Sequence, residues 1–276
     1  MHTIEHAQNY AGTNALRNDA NNTVSMFGIP LMKLRLEDLL NIVSDCLDSQ
    51  KRLTINYGNV RTMNLVYEDE ILKMAMQKAD VIYVDGAGLL FGARLLGKSL
   101  PCRMTGADWI YDLCELARRK RYSLFLLGGH EGVAQEAGRV LQERFPGLDV
   151  VGTHHGYFNR KDSRPVVHMI NQSRPHILLV GMGSPIQEKW IFKYRGMLDV
   201  SICWAVGGLF NFVTGRERRA PAWMNDHSLE WLFRLVQDPK RLWKRYVVGN
   251  PVFILRVVKQ LMHEKLLHSE AAVDGE

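Results

Sequence analysis

The sequence predicts an α/β fold: a Rossmann-like, mostly parallel sheet covered by helices, followed by a C-terminal helical appendage. Three observations carry this expectation. Six short apolar runs, rich in Val, Ile, Leu and aromatics, alternate with stretches of helical period from about residue 26 to residue 215. Several runs end in Gly or Asp, as buried parallel strands do. Beyond residue 215 the chain turns helical, basic and Trp-rich.

In chain order, residues 1–25 (MHTIEHAQNYAGTNALRNDANNT and the two that follow) read as a flexible leader without the apolar run of a signal peptide. Strands are expected over 52–57, 80–85, 122–128, 149–153, 176–182 and 200–207. Helices are expected over 35–51, 59–78, 106–121, 131–145, 162–173 and 186–196. This alternation implies a parallel sheet, whose ligands sit beyond the carboxyl ends of its strands. Residues 26–215 therefore form one domain and 216–276 an appendage. Asp238-Pro239 should separate two appendage helices, and Gly249-Asn250-Pro251 the second from a third.

At 276 residues, 46% hydrophobic and 23% charged, the chain can bury a large core, which excludes wholesale disorder. Cys46, Cys102, Cys114 and Cys203 are isolated, which favours a reducing compartment and argues against structural zinc. No run of about 18 apolar residues occurs, so no membrane span is expected and a cytoplasmic location is the default. The net charge of +6 is localised: residues 216–265 hold eleven Lys/Arg against five Asp/Glu. Such a segment suits nucleic acid, an anionic membrane or phosphorylated ligands. Trp223, Trp231 and Trp243 among those cations suit a membrane interface. The sheet region offers no recognisable nucleic-acid-binding module, which disfavours nucleic acid.

Strand ends carry the chemistry. Thr54-Ile-Asn56 ends the first expected strand, and Asp85-Gly86-Ala87-Gly88 the second. Gly-rich turns follow others: Gly128-Gly129-His130-Glu131-Gly132, Gly181-Met-Gly183 and Gly207-Gly208. Turns at one sheet edge that open helices suit a nucleotide diphosphate, with Gly128, Gly129, Glu131, Gly183, Gly207 and Gly208 as contacts. None fits GxGxxG or GxxxxGK[ST], which disfavours dinucleotide and P-loop sites. Asp85 has two readings, a helix cap or a general base within reach of a hydroxyl. His154-His155 could pass for metal ligands, but neighbours on an extended segment point to opposite faces. No DxD carboxylate pair is present for a divalent cation, so arginine is the natural partner of any diphosphate here. Arg219, Arg234, Arg241, Lys244 and Arg245 are the candidates.

The blocks TIN, VDGAG, RMTGADW (103–109), FLLGGHEGVA, VGTHHGYF, VGMGSPIQEKW, WAVGGLFNFVTG, RAPAWM and EWLFRL–DPKR occur in that order. Together they resemble the WecG/TagA/CpsF family, glycosyltransferase family 26, from about Phe27 to Tyr246. The resemblance implies a Rossmann-like catalytic domain over 26–215 and a membrane-associating appendage over 216–276. It implies inverting transfer from a UDP-sugar, carrying N-acetylmannosamine, its uronic acid, glucuronic acid or similar, to a polyprenyl-diphosphate-linked saccharide. No cofactor and no metal are expected. The protein would lie peripherally on the anionic inner face of the cell membrane, with homo-oligomerisation left open. Asp85 matches the family's catalytic Asp, Thr54 and Asn56 its Thr and Asn after the first strand, and Gln187 its pocket Gln. The RMTGADW block supplies Arg103, Thr105 and Asp108 as substrate contacts. Arginines of the appendage would meet the diphosphate. One departure is that Tyr57-Gly58 follow Asn56 where teichoic-acid members carry Pro-Glu. The segment ending FILRVVKQL is also similar to exopolysaccharide-cluster members, including a xanthan-type glucuronosyltransferase. A different class of reading is a non-catalytic, membrane-peripheral scaffold or regulator that binds a nucleotide sugar.

Overall fold

A computed structural model describes residues 21–221, 223–224 and 229–273, with side chains through residue 266. Most of the expected leader lies outside the described residues, but residues 23–25 are already strand. They belong to β1 (Thr23–Met26), which pairs antiparallel with β2 (Ile29–Met32). Phe27 and Gly28 make the turn, both at positive φ (54° and 78°). Hairpin turns of this hand match the twist of their strands but do not ordinarily select Phe. Tertiary contacts hold it there: the Phe27 ring meets Tyr67 and Phe253 edge-on, and its N–H donates to Gln260 Oε1 at 2.9 Å.

The six expected strands are all present: β3 (Leu53–Gly58), β4 (Val81–Val84), β5 (Leu124–Gly128), β6 (Val150–His154), β7 (Ile177–Gly181) and β8 (Ile202–Ala205). They form one parallel sheet in the order β4-β3-β8-β7-β5-β6. Every residue of β5, β7 and β8 is buried, which is why these strands read as continuous apolar runs. Edge strand β6 is half-buried throughout and tolerates Thr and His. β4, at the opposite edge, is buried as well because the β1–β2 hairpin packs against it.

The helices are α1 (Leu36–Asp48), α2 (Val60–Glu68), α3 (Glu70–Lys78), α4 (Ala87–Leu95), α5 (Gly106–Lys120), α6 (Val133–Arg144), α7 (Arg164–Ser173), α8 (Ile186–Tyr194) and α9 (Leu209–Val213). After them come α10 (Glu230–Gln237), α11 (Pro239–Trp243) and α12 (Gly249–Val273). One sheet face packs on α1, α5 and α6, with Trp109 and Trp204 stacked at 4.1 Å in that layer. The other face meets α2 and α3 at one end and α7 and α8 at the other.

Three expectations need correction. The helix expected over 59–78 is two, divided at Asp69, whose carboxylate accepts from Leu72 N–H at 3.0 Å and pairs with Lys189. α4 begins within the Asp85–Gly88 turn and fills a stretch for which no helix is expected. Its glycines argue against a helix locally, yet they permit close packing: a Cβ on Gly92 would lie 2.8 Å from the Phe253 ring. Finally, Gly249-Asn250-Pro251 does not break the chain. A π-helical turn at Lys244–Val248 runs directly into α12, and a widened turn is where a proline ring and its missing N–H are accommodated. Asp238 does cap α11 as expected, accepting from Arg241 N–H at 3.2 Å.

α12 is part of the core. Phe253 and Val257, 1% and 0% exposed, join Met26, Met63, Leu89 and their neighbours in one apolar cluster. Polar contacts frame it: Asn64 Nδ2 donates to Gly249 O at 2.7 Å, and Arg256 Nη1 to Asn64 O at 2.8 Å. Phe253→Ala should therefore destabilise the whole chain by about 3–5 kcal/mol in urea denaturation, the usual cost of emptying an aromatic core site. An unchanged urea midpoint would show that α12 is not integral to the fold.

Candidate active site

Because the strands are parallel, Gly58, Val84, Gly128, His154, Gly181 and Ala205 all finish at one edge of the sheet. Asp85 follows β4 there, half-buried, with its N–H donating to Gly58 O at 2.7 Å. Its carboxylate is met by a residue that sequence reasoning passed over. Asn59 Nδ2 donates to Asp85 Oδ2 at 3.2 Å. Asn59 is the N-cap of α2, and its Oδ1 accepts from Thr62 N–H at 2.9 Å and from the Thr62 hydroxyl at 3.2 Å. The cap commits the oxygen, so the amide nitrogen is the end left for Asp85. The signal was the Asn-x-x-Thr cap immediately after the strand.

Burial pushes the Asp85 carboxyl above the ordinary carboxylate range, and Glu230 adds to this, while Arg234, the Asn59 hydrogen bond and Arg245 pull the other way. Desolvation wins. The Arg234 guanidinium loses by burial but is held above its ordinary value by Glu230 and Asp85. Glu230 joins the two parts of the chain: it accepts from Arg103 Nη1 at 3.2 Å and from Arg234 Nη2 at 2.6 Å. The appendage thus stands over the strand ends, with Arg234 and Arg245 close enough to act on Asp85 and Arg103 joined to Arg234 through Glu230.

Gln187 is at the same edge but is 0% exposed and fully committed. Its Oε1 accepts from Gly183 N–H at 3.1 Å and Gly207 N–H at 3.0 Å; its Nε2 donates to Tyr57 Oη at 3.2 Å and Glu188 Oε1 at 2.9 Å. All four of its hydrogen-bonding sites are used. It ties the turn after β7 to the turn after β8 and holds Tyr57 from behind, so it positions the site. Glu188, 1% exposed, also accepts from Ser184 Oγ at 2.6 Å, and burial raises its pKa. The Gly128 turn depends on absence of a side chain: a Cβ there would lie 2.2 Å from Gly181 O. Gly129 N–H donates to that oxygen at 3.0 Å, and Glu131 is exposed in the turn before α6. Beside them the Tyr157 and His130 rings stack with centroids 4.4 Å apart, and Tyr157 is 69% exposed. Gly208 follows Gly207 and caps α9, with Glu217 packed nearby.

One expected site residue lies at the opposite edge of the sheet, and others are engaged within the protein. Thr54 is the second residue of β3, which runs on to Gly58, so Thr54 lies at the opposite edge of the sheet. There its hydroxyl accepts from Arg195 Nε at 3.2 Å and its N–H donates to Asp80 at 2.7 Å. Asn56 is 1% exposed in mid-strand, and the asparagine after the strand is Asn59. Tyr57 and Gly58 are likewise strand residues and not a loop. Thr105 and Asp108 form a capping box on α5, with Thr105 N–H to Asp108 Oδ2 at 2.8 Å, and Asp108 also pairs with Arg219. This block adjoins the end of β4, where Met104 N–H donates to Val84 O at 2.7 Å. Arg241 is held by Asp238 at 2.6 Å and Glu217 at 3.5 Å, while Lys244 lies exposed over the Trp243 ring. The His154 and His155 rings stack at 4.5 Å instead of diverging, because β6 ends at His154. Among the described residues no group of three or more His, Cys, Asp or Glu is placed to hold a metal ion.

A half-buried carboxylate at a strand end thus shares one sheet edge with glycine turns and the arginines of the appendage. The sequence profile of the Glycosyl transferase WecG/TagA/CpsF family matches residues 24–266, and the chain belongs to that family. It is 33% identical over 190 residues to the N-acetylglucosaminyldiphosphoundecaprenol N-acetyl-beta-D-mannosaminyltransferase of Bacillus spizizenii W23, covering 69% of this chain and 71% of that one. It is 26% identical over 253 residues to the Bacillus subtilis 168 protein of the same name, covering 91% and 97%. The Staphylococcus aureus MW2 protein of that name is 27% identical over 257 residues, covering 93% and 96%.

The raised pKa sets a pH expectation. A base with an elevated pKa gains its active form only as pH rises past the elevated value, so transfer activity should have an acid limb above the usual ~3.9 of aspartate. Asn59→Ala removes a hydrogen bond to the ionised form and should move that limb to higher pH. A kcat/KM–pH profile identical to wild type would mean that the Asn59–Asp85 contact does not tune the base.

Proposed function

We propose that the chain is an inverting transferase that moves a sugar from a UDP-sugar to a polyprenyl-diphosphate-linked saccharide in surface or exopolysaccharide synthesis. The observation that carries this reading is Asp85, oriented by Asn59 and facing arginines that arrive from the far end of the chain. The named relatives act on an undecaprenyl-diphosphate-linked acceptor, which supports the acceptor class. Donor sugars in keeping with the family are N-acetylmannosamine, its uronic acid, glucuronic acid or a similar residue.

In this mechanism Asp85 takes the proton from an acceptor hydroxyl while that oxygen bonds to the anomeric carbon. The bond from that carbon to the UDP oxygen breaks on the opposite face, and UDP leaves with the electron pair. Arg234 and Arg245, with Arg103 linked to Arg234 through Glu230, stabilise the departing diphosphate, a role in which preorganised charge lowers the barrier by a few kcal/mol. The reading needs no metal, since guanidinium forks match phosphate oxygens directly. Tyr157 and His130 offer a stacking face for the base of the nucleotide, beside the glycine turns that admit the phosphates.

Membrane association is part of the proposal. No described helix is long and apolar enough to cross a bilayer. The outward face of α12 instead carries Leu255, Val258, Met262 and Leu266, exposed by 70%, 39%, 61% and 61%, at helical spacing and flanked by Lys259 and Lys265. Such a face suits an anionic bilayer surface.

Asp85→Asn should lower kcat by about 100- to 10,000-fold while leaving UDP affinity near wild type, measured by UDP release with a synthetic polyprenyl-diphosphate saccharide. Transfer at the wild-type rate would instead fit a nucleotide-sugar-binding scaffold with no use for the base. Separately, Leu255→Glu with Met262→Glu should abolish co-sedimentation with anionic vesicles without lowering the melting temperature; retained co-sedimentation would remove α12 as the membrane face.

A further inference from the structure

Gln187, Glu188, Ser184 and Tyr57 form a chain at the carboxyl edge of the sheet whose hydrogen-bond directions are fixed. The N–H groups of Gly183 and Gly207 both donate to Gln187 Oε1, so its Nε2 is the donor end. That nitrogen donates to Tyr57 Oη at 3.2 Å and to Glu188 Oε1 at 2.9 Å. Glu188 Oε1 also receives the Ser184 hydroxyl proton, at 2.6 Å. The other carboxyl oxygen, Oε2, is buried without a hydrogen-bond partner among the described residues. Burial raises the Glu188 pKa, and a proton taken up there belongs on Oε2, because both neighbours of Oε1 are donors. Ser184 therefore gives its proton to Glu188 in either ionisation state.

Ser184 and Tyr57 are left with complementary functions. Ser184 Oγ has committed its proton and offers lone pairs. Tyr57 Oη accepts from Gln187 and keeps its own proton, which burial, with Glu188 and Asp85 nearby, holds on the phenol. The two oxygens are 3.4 Å apart, well beyond the ~2.7–2.8 Å of a good O–H···O bond. Ser184 is half-buried, whereas Tyr57, Gln187 and Glu188 are enclosed, so Ser184 is where the chain meets the site. Gly207 closes the far side, since a Cβ there would lie 2.6 Å from Tyr57 Oη. Asp85 is close by: Tyr57 stands opposite Tyr83 in the β3–β4 register, and the next residue, Gly58, accepts from Asp85 N–H.

We infer that Ser184 is a sugar-binding residue: its Oγ accepts a hydrogen bond from a neutral hydroxyl of the donor or acceptor sugar, and Tyr57 Oη donates to that same hydroxyl. An inserted hydroxyl replaces one stretched contact with two bonds of ordinary length. An anionic group would instead meet the Ser184 lone pairs with a carboxyl group behind them. Gln187 and Glu188 act through Ser184 and Tyr57, as positioning residues.

This role presupposes the transferase reading, and the experiment tells failure of one from failure of the other. Calorimetry measures binding of UDP, UDP-N-acetylmannosamine and UDP-glucuronic acid to the full chain. UDP release with a synthetic polyprenyl-diphosphate saccharide gives the acceptor KM. Both are compared in wild type, Ser184→Ala, Ser184→Thr and Tyr57→Phe. UDP alone should bind all four equally. Loss of one neutral hydrogen bond in Ser184→Ala or Tyr57→Phe should cost about 3- to 10-fold. A hydroxyl of the donor sugar shows this as weaker UDP-sugar binding, and one of the acceptor sugar as a higher acceptor KM. Ser184→Thr keeps the hydroxyl and should recover most of the loss. Unchanged UDP-sugar affinity and acceptor KM, in a Ser184→Ala protein that melts like wild type, overturn the role. An equal loss for UDP itself also overturns it, because that marks a disturbed turn; both results leave the transferase reading standing. Wild-type protein that binds none of the three nucleotides overturns the UDP-sugar reading and this role with it.

Discussion

The site depends on one packing event, the burial of Phe253 and Val257 of α12 against α2, α4 and the β1–β2 hairpin. Together with the Arg103–Glu230 and Asp108–Arg219 bridges it ties the C-terminal segment to the sheet domain. The same contact explains features that look odd in isolation. Gly92 leaves room for the Phe253 ring, and Phe27 takes a strained turn conformation because its ring and N–H are both held by the returning helix. Residues more than 200 positions apart thus share one core.

That geometry decides the electrostatics. Asp85 sits where desolvation raises its pKa, while two arginines and an asparagine hydrogen bond limit the rise. Glu230 adds to that rise and takes both Arg103 and Arg234 as partners. Its exposure of 19% and that of Arg103 at 17% place the link between lid and sheet in a poorly solvated layer. There a broken partner leaves a costly unpaired charge, which gives this bridge more weight than a surface pair.

Behind the exposed chemistry lies a rigid polar layer. Gln187 uses all its donors and acceptors on Gly183, Gly207, Tyr57 and Glu188, and so converts three strand ends into one surface. The burial that makes Gln187 an effective brace leaves its side chain with no exposed surface. Thr105 and Asp108 form the capping box of α5, while Asn56 is buried in mid-strand with its side-chain oxygen unpaired.

Much was legible without coordinates. The six parallel strands, the shared edge at which they end, the place of Asp85 on it and the helical, cationic C-terminal segment followed from apolar runs ending in Gly or Asp and from the location of the charge. These are local or periodic properties, set by the chain's own spacing. What sequence reasoning misplaced turned on strand ends and on distant neighbours. β3 continues two residues past Asn56, which exchanges Asn56 for Asn59; α4 forms despite its glycines because α12 covers it; Pro251 is absorbed by a π-helical turn. Which arginines meet carboxylates and which remain uncommitted is likewise invisible in the sequence. Ion pairing depends on distances of a few ångströms between residues far apart in the chain, and only the folded chain sets those distances.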